Sequence, residues 1–234
     1  KGLVEWMSGE MNVHSSSSVK AFTEIDVDAR RNPVLYRSGY KPFELSEAEV
    51  ARVRQYLLNG GTLIYNWLVG HPDAYASAKK AAQAIFPERP IYRLRMDHPV
   101  FRSFYNIDKV AYRDRMVRDG VVLDPYPFLE AVDLDNRSAI IISRWDFSLG
   151  WEQNKHESWR YADADARRLG ANIMPYATAM RDAGRSLGKS VELADTDKKT
   201  AGKFRVGQVM HNGAWNTRAT AFPMLLNQLN KETG

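Results

Sequence analysis

Apolar positions along this chain fall at two spacings, and the switches between them mark the elements. Val19 to Val27 alternates in places and predicts a strand. Pro33 to Ser38 is a short apolar run ending at Gly39, as expected of a buried strand. Ser46 and Glu49 form a capping box, in which each side chain satisfies a backbone N–H left orphaned at a helix start. Val50, Val53 and Leu57 follow at helical spacing, and Gly60-Gly61 ends the helix. Thr62 to Trp67 is the next strand. Strand, helix and strand with short connections make a parallel α/β unit.

Beyond it, Ala74 to Ile85 reads as an alanine-rich helix stopped by Pro87, and Ile91 to Arg95 as a weak strand. Asp97-His98-Pro99 predicts a helix start with Val100, Phe101 and Phe104 inward. Gly120 to Leu134, with Pro125 and Pro127, reads as a long loop with short extended pieces. Ala139 to Ser143 is strongly apolar and predicts a central strand. Asp163 to Ala179 predicts a helix with Leu169 and Ile173 inward and a kink at Pro175. Phe204 to Met210 predicts a last strand, and Thr217 to Asn230 leads into a closing helix.

The two ends of the chain echo each other. Leu3-Val4, Met7 and Glu10 match Leu225-Leu226, Leu229 and Glu232, each set reading as one short amphipathic helix. No strand precedes the first of these helices, whereas Lys203 to Met210 precedes the second. The expected organisation is an α/β domain over residues 1–180 that lacks its first strand, a charged and glycine-dotted linker over 181–202, and a strand-helix unit over 203–234. That last unit either completes the sheet, in the same or a neighbouring chain, or begins a second copy.

Composition narrows the chemistry. The chain has 234 residues, 44% hydrophobic and 26% charged, enough for a sizeable core. The net charge of +5 is spread without a dense Lys/Arg run interleaved with aromatics, so nucleic acid is not an expected partner. There is no cysteine, which removes disulfides, thiolate metal sites and cysteine nucleophiles. No apolar stretch reaches membrane-spanning length, so direct membrane insertion of this segment is not expected. No signal peptide is evident, and because residue 1 is Lys rather than Met an upstream segment is left open.

Three patches together carry a family resemblance. They are Phe43-Glu44-Leu45-Ser46 through Leu57-Leu58-Asn59-Gly60-Gly61-Thr62-Leu63-Ile64; Asp97-His98-Pro99-Val100-Phe101; and Gly150-Trp151-Glu152 followed by Arg168-Leu169-Gly170-Ala171-Asn172. In this order they resemble the bacterial family called domain of unknown function 4159, over about Leu3 to Ala179. Arg205 to Gly234 resembles the first strand and helix of the same family, as a tandem copy would. The resemblance implies a class I glutamine amidotransferase-like, flavodoxin-like three-layer sandwich with a mainly parallel central sheet. It also implies an exported or periplasmic bacterial protein, and it implies no reaction. The amidotransferase nucleophile is a cysteine on the turn after a strand. Here that turn reads Asn66-Trp67-Leu68-Val69-Gly70, and the family's Gly-Cys-Gly-Trp-Glu patch reads Ser148-Leu149-Gly150-Trp151-Glu152.

In open parallel sheets, ligands bind beyond the carboxyl ends of the strands. The polar residues expected there are Ser38 and Gly39, Asn66, Arg144 to Asp146, and His211, Asn212 and Trp215. His211 reads either as a general base or as part of a His-Asn-Gly turn. Glu152 and His156 would share a face if helical, giving a carboxylate–imidazole pair, whereas Gln153-Asn154-Lys155 suggests a loop. No third ligand can be nominated beside them, so no metal is expected. Asp97-His98 reads as capping rather than catalysis. Ser143 follows a buried strand without the Gly-x-Ser-x-Gly frame of a nucleophile elbow. Trp145, Trp151, Trp159 and Trp215 either stack on sugars, anchor a partner, or cap the core.

The expectation is therefore a non-catalytic binding or scaffolding domain of a larger bacterial protein, with no cofactor. Its partner is a protein, a glycan or a small polar ligand, contacted by Ser38, Gly39, Asn66, Asp146, Trp151, Glu152, His156, His211, Asn212 and Trp215. The rival is a hydrolase of a carbohydrate or amide with Glu152, His156 or His211 as acid–base groups. A third reading is structural, a homo-oligomer made through the C-terminal strand and helix.

Overall fold

Tyr56, Leu57 and Val53 repeat on one side of the helix that the capping box opens, and this side meets the sheet. The computed structural model describes residues 2–12 and 16–188, with positions 225, 226 and 228. Its helices are α1 (Gly2–Met11), α2 (Glu47–Leu58), α3 (Pro72–Ile85), α4 (Asp114–Arg118), α5 (Ser148–Trp151) and α6 (Asp163–Gly188). Its strands are β1 (Val34–Gly39), β2 (Thr62–Trp67), β3 (Tyr92–Arg93), β4 (Leu129–Leu134) and β5 (Arg137–Ser143). They form one five-stranded sheet in the order β1-β2-β5-β4-β3. β1, β2 and β5 run parallel, while β4 runs antiparallel to β5 and to β3.

Both central strands are buried along their whole length, which explains their near-continuous apolar sequence. Alternate residues feed two cores. Leu63, Tyr65, Ile140 and Ile142 join the α2 and α3 residues, including Ala74, Ala78 and Ala82, whose small side chains suit a close approach of helix to sheet. Ile64 and Ile141 join Leu169, Ile173 and Tyr176 of α6. Pro175 lies inside α6 without ending it, and the helix runs on to Gly188, into the stretch expected as linker.

The sheet is mixed, parallel across β1, β2 and β5 as expected of its centre, and its antiparallel part includes a hairpin that the sequence did not suggest. Residues 129–134, expected within a loop, are β4, joined to β5 by the two-residue turn Asp135-Asn136 with Asp135 left-handed at φ 55°. Val19 to Val27 is not a strand. It holds a short 3-10 turn at Phe22–Glu24, and the chain then folds on itself as Asp26 Oδ1 accepts from Asp28 N at 3.0 Å and Asp28 Oδ1 accepts from Arg30 N at 3.0 Å. The helix expected after Asp97 is only a 3-10 turn, Pro99–Phe101. The C-terminal strand expected at Phe204 to Met210 lies outside the described residues.

Candidate functional site

Because β1, β2 and β5 are parallel, their carboxyl ends share one rim. Register places Ser38 beside Asn66 and Gly39 beside Trp67. Asn66 and Asp146 are both 0% exposed and meet there. Asn66 Nδ2 donates to Asp146 Oδ1 at 3.0 Å and to Ser148 Oγ at 3.1 Å, while Asn66 Oδ1 accepts from Phe147 N at 3.1 Å. Asp146 also accepts from Val69 N at 3.0 Å, from Ser148 N at 2.7 Å and from Ser148 Oγ at 2.7 Å. This network ties the turn after β2 to the start of α5. Its capacity is taken up by protein groups, so Asn66 and Asp146 support the rim rather than present free polar atoms at it.

The turn held this way is strained. Val69 is left-handed at φ 57° and ψ 12°, a conformation costly for a β-branched side chain. The residue is 36% exposed at the rim. Gly70 follows at φ 70°, where an added Cβ would come within 2.6 Å of Trp159 Cβ and 2.8 Å of Trp159 O. Gly70→Ala is expected to destabilise the domain by about 2–3 kcal/mol, from backbone strain and overpacking together. Urea denaturation measures it, and an unchanged midpoint would mean that the turn relaxes freely.

Around the network sits an aromatic cluster. The Phe147 and Trp151 rings stack at 4.6 Å, and Tyr36 packs on Trp151 at 5.3 Å and on Phe147 at 6.4 Å. Trp151 is half-buried, and its indole N–H donates to Ala166 O at 2.9 Å. Tyr36 is partly exposed, while its hydroxyl lies among Ser148, Ser38 and Asn66. Desolvation raises that hydroxyl's pKa, the nearby Asp146 charge adds to the rise, and the hydrogen bonds oppose it. Tyr36 was not among the residues singled out from sequence, although its place two before Ser38 puts it on the same face of β1.

Glu152 and His156 do not join this arrangement. They are exposed on the loop after α5, so their spacing of four does not place them on one helix face. His211, Asn212 and Trp215 lie outside the described residues. Ser143 is buried with its hydroxyl donating to Trp145 O, and Trp145 belongs to the core on the α6 side. Among the described residues no three His, Asp or Glu side chains stand together as a metal site, and no helix is long and apolar enough to cross a membrane.

A second constellation appears at the opposite end of the sheet, beside the turn from β4 to β5. His98 caps the Pro99–Phe101 turn, its Nδ1 accepting from Val100 N at 3.2 Å. Its Nε2 lies 3.3 Å from Ser138 Oγ, which donates to Asp133 Oδ1 at 2.7 Å. The residue types suggest a triad, but the order of bonds does not. Accepting at Nδ1 leaves the neutral ring's proton on Nε2, so Nε2 donates to Ser138 and cannot take its proton. Burial pushes the His98 pKa down from its ordinary 6.5, against the opposing pull of Asp133 and Asp97. A lowered histidine pKa means that the unfolded chain binds a proton the folded one refuses. Stability is therefore expected to fall as pH drops below 6.5 toward the folded value, by at most about 1.4 kcal/mol per pH unit. His98→Asn keeps a cap without titrating, so its urea midpoint should lose less than the parent's between pH 7.5 and 5.5. Parallel curves would refute the assignment.

The family model described as domain of unknown function (DUF4159) matches residues 1–178. The chain belongs to that family. Among curated proteins no relative matches it. What this DUF4159 domain binds or does must therefore be argued from its own residues. The rim brings Ser38, Gly39, Asn66 and Asp146 together with Trp151, and it adds Tyr36, Phe147, Ser148 and Val69.

Proposed function

We propose that this is a binding or scaffolding domain without catalytic chemistry of its own, whose ligand contacts lie at the carboxyl rim around Tyr36, Ser38 and Trp151. One observation carries the reading. The strained left-handed residue after β2, the kind of position where an amidotransferase-like fold displays its nucleophile, is Val69, an aliphatic side chain with nothing to donate or attack. Beside it the accessible groups are a tyrosine, a tryptophan and serine hydroxyls. That set suits a sugar or another small polar molecule, with stacking from the rings and hydrogen bonds from the hydroxyls.

The proposal extends to the fold. The sheet is read as an amidotransferase-like, flavodoxin-like layer. Among the described residues β1 pairs only with β2, and an open strand edge is a template for another strand. Phe204 to Met210 is the proposed neighbour, from the same chain or an adjacent one. The second arrangement would make a homo-oligomer, which light scattering across a concentration series would reveal.

Saturation-transfer NMR against a panel of mono- and oligosaccharides tests the binding reading. Binding that Tyr36→Ala and Trp151→Phe each weaken supports it. Turnover of a nitrophenyl glycoside or an amide that is lost in Glu152→Gln or His156→Ala would overturn it in favour of a hydrolase.

A further inference from the structure

Arg144 follows the last residue of β5 and stands at the carboxyl rim beside α3. Its guanidinium carbon lies 4.2 Å over the Trp145 ring and 4.8 Å over the Tyr75 ring. Among the described residues its one hydrogen-bonded acceptor is the Gly70 carbonyl, reached by Nη1 at 3.2 Å. The nearby carboxylate does not pair with it. Glu130 is engaged by Lys79 at 2.9 Å and by the Tyr75 hydroxyl. Arg144, Lys79 and Glu130 together leave one positive charge, and it sits on Arg144.

This is an unusual use of an arginine. Half-burial desolvates the group and lowers its pKa, while Tyr75, Glu130 and Tyr161 act in the opposite direction. A guanidinium needed only to close the turn would use the one N–H that meets Gly70. The remaining donors form a planar fork, and the two rings already restrict where it lies, so little further freedom is lost when an oxyanion docks. The first turn of α3 begins at Pro72, and its N-cap, His71, makes no side-chain cap. Asp73 in that turn favours a small anion held at Arg144 over one spread along the helix end.

We propose that Arg144 is an oxyanion-binding residue, taking the carboxylate or phosphate group of a small ligand at the carboxyl end of β5. The site lies beside α3, apart from Tyr36 and Trp151, and it stands whether or not the aromatic rim binds a sugar.

Trp145 lies against the guanidinium, so tryptophan fluorescence reports occupancy. Inorganic phosphate and acetate are titrated separately at constant ionic strength, with chloride as the balancing salt. Saturable quenching is expected with at least one of them, and the one that saturates identifies the group. Arg144→Gln should weaken binding at least about tenfold, and Arg144→Lys should weaken it less because it keeps the charge but loses the fork. Arg95→Gln, which removes an exposed arginine paired with Asp97, should leave it unchanged. If Arg144→Gln fails to fold, Arg144→Lys and the arginine Nε signal of the parent protein, followed by NMR during the phosphate and acetate titrations, decide the matter. Non-saturable titration with both anions, an Arg144 variant that binds like the parent, or equal loss in Arg95→Gln overturns the proposal.

Discussion

Asp146→Ala is expected to lower the stability of the domain by about 3–5 kcal/mol, or on the order of 10 °C in melting temperature. The carboxylate is fully buried and receives N–H groups from Val69 and Ser148, the Ser148 hydroxyl and the Asn66 amide. Removing it leaves these donors without a partner in a place water does not reach, and each such group costs its desolvation. The loss is local in origin and wide in effect, because the same bonds hold Val69 in its left-handed conformation. Asp146→Asn replaces one acceptor with a donor that faces other donors, so it should recover only part of the loss. Ser148→Ala should cost only about 1 kcal/mol. Urea titration of the three variants gives the order, and an Asp146→Ala midpoint close to the parent's would mean that the turn is held by packing alone.

Arg137→Ala should cost about as much, on the order of 3–5 kcal/mol. Arg137 opens β5 and is only 4% exposed. Its guanidinium donates to the Gly61 carbonyl at 2.8 Å and to the Leu57 carbonyl, closing the carboxyl end of α2 onto the starts of β2 and β5. Burial lowers its pKa from the ordinary guanidinium value, opposed by Tyr176, Tyr56, Asp135 and Asp133. The alanine variant leaves a cavity and strands the carbonyls of Leu57 and Gly61. Arg137→Lys keeps one donor at the site without the fork, so it should fall between the parent and the alanine variant. A lysine variant as stable as the parent would show that charge, not geometry, is what the site needs.

The DUF4159 assignment bears on both variants and on the rim. It places the chain in a family without attaching a reaction to it. The useful measurements are therefore those that separate the framework, held by Asp146 and Arg137, from groups the framework does not need. The latter are the donors of Arg144 beyond the one that meets Gly70, which have no partner among the described residues, and the exposed part of Tyr36.

Parts of this architecture were legible along the chain because their causes are local. The Ser46–Glu49 box starts α2 and Gly60, at φ 96°, ends it, each through bonds or conformations within a few residues. Continuous apolar runs marked β2 and β5, and parallel pairing followed from the helix between β1 and β2. The rim was legible to the same extent, since a polar residue at the end of a buried strand, such as Asn66, stands out by position alone.

Other features had no local cause. Residues 129–134 follow Pro125 and Pro127 and carry Glu130 and Asp133 among apolar residues, and they read as loop, because Glu130 is tolerable in a buried strand only once Lys79 and Tyr75 of α3 reach it. His98 needs Ser138 and Asp133 from the hairpin, and Tyr36 needs Trp151 from α5. The sequence by itself therefore determined where α2 begins and ends, where the parallel strands β1, β2 and β5 lie, and that no cysteine stands at the turn after β2. Only the tertiary structure decided that this turn is left-handed at Val69, that Asn66 and Asp146 are spent on holding it, and that Arg144 has donors without a partner among the described residues. The physical reason is that a propensity or a cap acts over a few bonds. Burial, desolvation and the pairing of one charge with another depend on residues brought together from dozens of positions away.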